Sequence, residues 1–221
     1  LQVIQPPIQI PEPLNEYVDA LRQRLSITPD QKIIGMAARL ASEKGVEYLV
    51  QALQIVQQEF QDVLVLYVGH HLDVMGEKAY AQRLSPMIEA MGEAWEFLGV
   101  LKPEEMAAFF ALCDVTILPS LNSTESFGMV QVESMLCGTP VVASDIPVVR
   151  QPIAMTGMGE VVPPANGTAI AQAILRILNE PQKYARNRKD IEQYFSQDVI
   201  AQKYEQIYTR EVASKRGRPT T

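Results

Sequence analysis

The apolar residues of this chain switch repeatedly between two spacings, and that alternation restricts its fold more than any other property. Residues 33–38 form a short apolar run, after which Val46, Leu49, Val50, Leu53, Val56 and Phe60 recur at helical spacing, and 63–68 is apolar again. The series continues with a helical pattern over 78–91, a strand over 95–98, a helix over 103–113 and a strand over 115–118. A helix starting near Gly128 and a strand over 140–143 complete it. Continuous apolar strands are buried on both faces, and strands alternating with helices build a mostly parallel sheet with helices on both sides. The expectation is one α/β domain, Rossmann-like, over residues 32–211.

The ends carry less pattern. Pro6, Pro7, Pro11 and Pro13 fix φ and remove donors, so residues 1–31 read as an extended linker or crossover leading into the domain. After a strand near 160–162, three helical patterns follow. One carries the stripe Ile170, Ala173, Ile174, Ile177 and Leu178, and another carries Ile200, Tyr204, Ile207 and Tyr208. The last residues, 212–221, read as a flexible solvated tail.

Charge and cysteine usage narrow the class of partner. The 221 residues carry a formal charge of −7, which argues against nucleic acid and acidic membranes as broad electrostatic partners. An anionic ligand would need local cations. No apolar run reaches the roughly 18–20 residues that cross a bilayer. Cys113 and Cys137, in ALCDV and MLCGT, lack CxxC spacing and read as buried reduced thiols, which fits a cytoplasmic protein. His70 and His71 are sequence neighbours that point apart and have no third ligand at a recognisable spacing, so no metal site is expected.

Ligands of parallel α/β sheets bind beyond the carboxyl ends of the strands. After the first strand, ARLASEKGVEYL presents Arg39 and Lys44, a guanidinium fork and an ammonium able to neutralise a pyrophosphate together; taken alone they are equally ordinary surface charges. After the second strand, in VGHHLD, Gly69 permits close backbone approach to a ligand, and His70 is a candidate contact to phosphate or sugar. After the fourth comes ESFGMVQVE. It sets Glu125 in a loop and Glu133 in an apolar helix, seven residues between them, around a helix start at Gly128 whose free N–H groups attract anions. The two oxygens of Glu133 match the cis-diol of a ribose.

This run resembles the Glu-x7-Glu motif of the retaining GT-B glycosyltransferases, the family 4 group that includes glycogen and sucrose synthases. Four further blocks agree in order: GMAARLASEKGVEYLV, VLYVGHH, FLGVLKPEEMAAFFALCDVTILPS, and GTPVVASDIP with the later GMGEVVPP. The resemblance spans roughly residues 32–164. It implies that Arg39 and Lys44 hold the diphosphate of a nucleotide-sugar donor and that Glu133 binds its ribose. Glu125 would lie by the transferred sugar. Phe127, Gly128, Met129 and Val130 would meet sugar hydroxyls and phosphate through their backbone, and Val100 and Leu101 would meet the base. The implied donor is a UDP- or GDP-sugar, with no cofactor and no metal.

Two departures limit the transfer. The family often has Gly-Asp or Gly-Glu-Gly where this chain has Gly69-His70-His71. Where relatives carry Gly-Gly-x-Pro-Glu, this chain reads DIPVVRQ, leaving Arg150 and Gln151 as the nearest substitutes for that Glu. The resemblance also covers only the C-terminal half of a GT-B fold. The acceptor, a carbohydrate or lipid-linked group, would be held by a missing N-terminal half, and the chain alone would be inactive. In the parent protein the location expected is cytoplasmic, with peripheral contact at the inner membrane face left open. The apolar stripe of the last helix would be exposed without that half. A nucleotide-sugar epimerase or phosphorylase of the same architecture, or a noncatalytic nucleotide-binding module, are the alternative readings.

Overall fold

The computed structural model describes residues 4–216, with side chains through Arg210 and at Val212. Six strands, all parallel, form one sheet: β1 (Lys32–Ala37), β2 (Val63–Val68), β3 (Trp95–Gly99), β4 (Val115–Leu118), β5 (Val141–Ser144) and β6 (Gly159–Val162). Their order is β3-β2-β1-β4-β5-β6. The expected α/β Rossmann-like architecture is therefore present, with each strand within a residue or so of its sequence-derived place.

Alternate strand residues enter two separate cores. Ile34, Met36, Val65 and Tyr67 pack under α2 (Val46–Val56), α3 (Lys78–Glu89) and α7 (Gly167–Asn179). Ile33, Leu64 and Leu66 face α4 (Pro103–Leu112), α5 (Met129–Leu136), α6 (Gln151–Thr156) and α9 (Arg188–Phe195). Each fully buried Leu, Ile or Phe contributes about 1.5–3 kcal/mol, so a sheet buried on both faces needs the near-continuous apolar strands this sequence has. Local signals fix the helix starts. Glu105 accepts from the Lys102 N–H at 3.0 Å with Pro103 in the first turn of α4, and Asn166 Oδ1 accepts from the Ala169 N–H at 2.9 Å at the start of α7.

The opening segment differs from a free linker. It is extended around its prolines, but Ile8 and Ile10 are buried, and the Ile8 N–H donates to Phe195 O at 2.9 Å. Arg188 donates to Ile10 O at 2.6 Å and to Leu136 O at 3.3 Å, clasping the segment to the domain. A helix that the sequence pattern did not reveal, α1 (Asn15–Arg24), then packs on α4. Its only buried residue is Leu21, so it shows no apolar stripe.

The carboxyl-terminal region holds α8 (Pro181–Tyr184) and α10 (Gln197–Arg216) beside α7 and α9. Helix α10 extends through residue 216, so the expected flexible tail is helical over its first five positions; residues 217–221 lie outside the described residues. The exposed stripe expected on this helix is only partly present. Ile200 is buried, in the turn of α10 nearest α9, and Ile207 is half-buried; Tyr204 and Tyr208 are exposed and stacked on each other with ring centroids 6.3 Å apart.

Candidate functional site

The strand order reverses direction between β1 and β4, so the connections leaving these two strands diverge and open a crevice at their carboxyl ends. The loop after β1 turns through a 3₁₀ segment, Ser42–Lys44, into Gly45 at φ 65°. A side chain there would place its Cβ 2.3 Å from Pro119 O, so only glycine lets this loop meet the one after β4. The Leu121 N–H donates to Glu43 O at 2.9 Å and laces the same two loops together. On the other side, the Leu40 N–H donates to His70 O at 2.8 Å and the Gly69 N–H to Gly99 O at 2.7 Å. Glu77 accepts from the Ser42 N–H at 3.0 Å.

Two of the charges predicted from the sequence, Lys44 and Glu125, meet at this crevice. Lys44 Nζ lies 2.7 Å from Glu125 Oε2, with the two side chains only 17% and 14% exposed. Ser120 Oγ donates to the same oxygen at 3.2 Å. Arg39, on the same loop as Lys44, is paired with Glu43 at 3.1 Å but its side chain is 58% exposed, which leaves it free to swing toward a ligand. Ser120 was not singled out by sequence reasoning; its place at the end of β4, in LPS, was the available signal.

Helix α5 begins at Gly128, whose φ of 74° and ψ of 59° are left-handed; a Cβ on it would stand 2.4 Å from Leu118 Cδ2. The Gln131 N–H is satisfied by Gly128 O, whereas the N–H groups of Met129 and Val130 have no hydrogen-bond partner among the described residues. They give the helix start its partial positive charge. Phe127 is buried and packs edge-on against Phe195, so its side chain anchors the turn. Gln131, also missed in the sequence, donates through Nε2 to Phe127 O and to Val149 O, both at 2.9 Å, and ties the turn to the loop after β5. Met129 is exposed and Val130 half-buried. One turn on, Glu133 is half-buried, has no side-chain partner among the described residues, and burial raises its carboxyl above the ordinary value.

The remaining candidates spread along the edge. Val100 is exposed, and Leu101 is half-buried in a small cleft of about 100 Å³ beside Tyr17 of α1. His70 is exposed and contributes its carbonyl. Its neighbour His71 instead stacks on Phe97, centroids 4.3 Å apart, and lines a groove of about 640 Å³ against α3. Arg150 pairs with Asp145 at 2.6 Å and Gln151 donates to Pro147 O at 3.2 Å, so both brace their own loop. Cys113 is buried and unpaired as expected; Cys137 is half-buried rather than buried, and burial pushes its thiol up to about 12. Among the described residues no three His, Cys, Asp or Glu side chains converge as metal ligands, and no helix is long and apolar enough to cross a membrane.

Comparison with known proteins agrees with this architecture. A phosphatidyl-myo-inositol mannosyltransferase of Mycobacterium leprae is 30% identical over 168 residues, which is 75% of this chain and 42% of that protein. Sucrose-phosphate synthase from Thermosynechococcus elongatus superposes with a TM-score of 0.76 at 25% identity, covering 96% of this chain and 53% of that one. Anabaena HepE in complex with UDP-glucose superposes with a TM-score of 0.77 at 26% identity, covering 90% and 54%. The chain spans about half the length of the curated relatives it matches. The fold is that of one half of a GT-B glycosyltransferase. The family described as glycosyl transferases group 1 matches residues 18–194, and the chain belongs to that family.

Proposed function

We propose that this chain is the C-terminal, donor-binding half of a retaining hexosyltransferase, and that it binds a nucleoside-diphosphate sugar, UDP-linked in the first instance. The observation that carries the reading is the Lys44–Glu125 pair at the β1/β4 switch point, with Arg39 on the same loop as Lys44 and the open start of α5 four residues beyond Glu125. A GT-B neighbour of similar fold is known with UDP-glucose, which favours uracil over guanine.

Transfer breaks the bond between the anomeric carbon and the diphosphate. Negative charge gathers on the departing diphosphate, and positive charge on the sugar. Arg39 and Lys44 would stabilise the first, helped by the N–H groups of Met129 and Val130. Glu125 would accept hydrogen bonds from sugar hydroxyls and favour the cationic sugar, with the acceptor hydroxyl attacking from the face the diphosphate leaves and giving its proton to the departing diphosphate oxygen. Glu133 would hold both ribose hydroxyls, and the exposed backbone at Val100 and Leu101 would meet the base. The acceptor, a polyol or lipid-linked group as in the names of several relatives, would be bound outside this chain.

Calorimetric titration with UDP and GDP tests the donor site. Arg39→Ala and Glu133→Ala should each weaken binding about tenfold or more, in line with loss of a charge-assisted contact of about 1.5–3 kcal/mol. Binding unchanged in both variants would sink the assignment. With the N-terminal half restored, product analysis separates transfer, which needs an acceptor, from epimerisation, which does not.

A further inference from the structure

The Glu125 carboxylate is held through one oxygen by two donors of different kinds. Lys44 Nζ approaches Oε2 at 2.7 Å and Ser120 Oγ approaches the same atom at 3.2 Å, while Oε1 has no protein donor among the described residues. Ser120 is 1% exposed, so its hydroxyl is fixed in the wall of the crevice. Lys44 therefore already has an anion before any diphosphate reaches the site. With the carboxylate beside it the ammonium presents a smaller net positive field to a phosphate, and the two anions repel each other when both crowd the same charge.

Resting on the donor-site reading above, we infer that Glu125 is a built-in competitor of the donor diphosphate for Lys44, and that Ser120 is the positioning residue that holds Glu125 when Lys44 turns to the phosphate. Without that hydroxyl the released carboxylate, mostly buried, would lose its last protein donor, and leaving such a group unpaired is costly. With it, the carboxylate stays at the crevice with free lone pairs for a ligand hydroxyl. A nucleotide that carries its sugar recovers the broken ion pair by donating sugar hydroxyls to Glu125. A spent nucleoside diphosphate breaks the pair and recovers nothing. The contact thus discriminates between loaded donor and product, and it drives the product out.

The experiment is UDP titration by calorimetry on this chain, on Glu125→Gln, on Ser120→Ala and on the double variant, each first checked by thermal melting. Ser120→Gly, which also lacks the hydroxyl, serves if Ser120→Ala does not fold. Glu125→Gln should bind UDP about five- to tenfold more tightly, because a neutral amide leaves the Lys44 charge to the diphosphate. Ser120→Ala should bind about threefold more weakly in the parent and have no effect within Glu125→Gln, where no carboxylate needs holding. Equal or weaker UDP binding by Glu125→Gln overturns the competition. A Ser120→Ala loss of the same size in both backgrounds is structural damage and overturns the positioning role. A parent chain that binds neither UDP nor GDP removes the donor-site reading and this inference with it, whereas tight binding indifferent to Glu125→Gln removes the inference alone.

Discussion

Lys44 Nζ sits 2.7 Å from Glu125 Oε2, a contact between residues 81 apart in sequence that joins the loops leaving two adjacent strands. The pair is nearly enclosed, so truncating one member strands the other. Lys44→Ala should destabilise the chain by about 1–2 kcal/mol, and Lys44→Ala/Glu125→Ala should recover part of that loss. Urea denaturation of Lys44→Ala, Glu125→Ala and the double variant measures it. A double variant as unstable as the sum of two single losses would mean that the pair contributes nothing as a pair.

The start of α5 depends on glycine. Gly128→Ala introduces a Cβ at 2.4 Å from Leu118 Cδ2 on a left-handed backbone, and should cost about 1–3 kcal/mol. Since the relief available is a shift of the turn, UDP affinity should fall as well. A melting curve and a titration on the same sample check both effects.

Glu133 gives a pH signature. Burial holds its carboxyl above the ordinary 4.5, so the folded chain binds this proton more readily than the unfolded chain. The associated stability is complete below the unfolded value and is lost as pH rises through the raised folded value. Glu133→Gln should therefore melt higher than the parent at pH 7, with the gap closing near about pH 4. The same substitution should weaken UDP, which makes Glu133 a residue kept at the expense of stability. Equal Tm values across that range would contradict the burial argument.

Gln131 is the buried polar bridge beneath the site. Gln131→Leu keeps the volume but leaves Phe127 O and Val149 O without their side-chain donor, and should cost about 1–3 kcal/mol. Gln131→Glu cannot donate to either carbonyl and should be worse at neutral pH than at acid pH. Denaturant midpoints at two pH values distinguish the two variants.

On α10 the two ends of one stripe should respond differently. Ile200→Ala empties a buried site and should cost about 2–4 kcal/mol, whereas Tyr204→Ser with Tyr208→Ser, both exposed, should change stability by about 0.5 kcal/mol or less. Light scattering should show the double tyrosine variant less prone to associate.

The strands were legible because both faces of the sheet are buried: Val63 to Val68 is apolar without a break, and each of its six residues is buried. Helix α1 was not legible, because it buries Leu21 alone and presents Tyr17 to solvent. The charged partners of the site could be read as residue types at strand ends. What the sequence did not show was which groups were already paired. Ser120 and Gln131 escaped notice because each acts through hydrogen bonds to groups that only the fold brings near, Glu125 for the first and Phe127 O and Val149 O for the second, and neither interrupts an apolar period. At the histidine pair, His71 stacks on Phe97, a contact between loop and edge strand that no local spacing encodes.

The seam between β1 and β4 is short: two residue pairs, Ile34 with Val115 and Gly35 with Thr116, against six between β1 and β2. What joins the two sides of the sheet is therefore mostly helix packing, α2 from one side against α7 from the other, rather than strand hydrogen bonds. A ligand held by the loops that leave β1 and β4 would bind the folded chain alone and stabilise it by mass action, adding a tie across the seam.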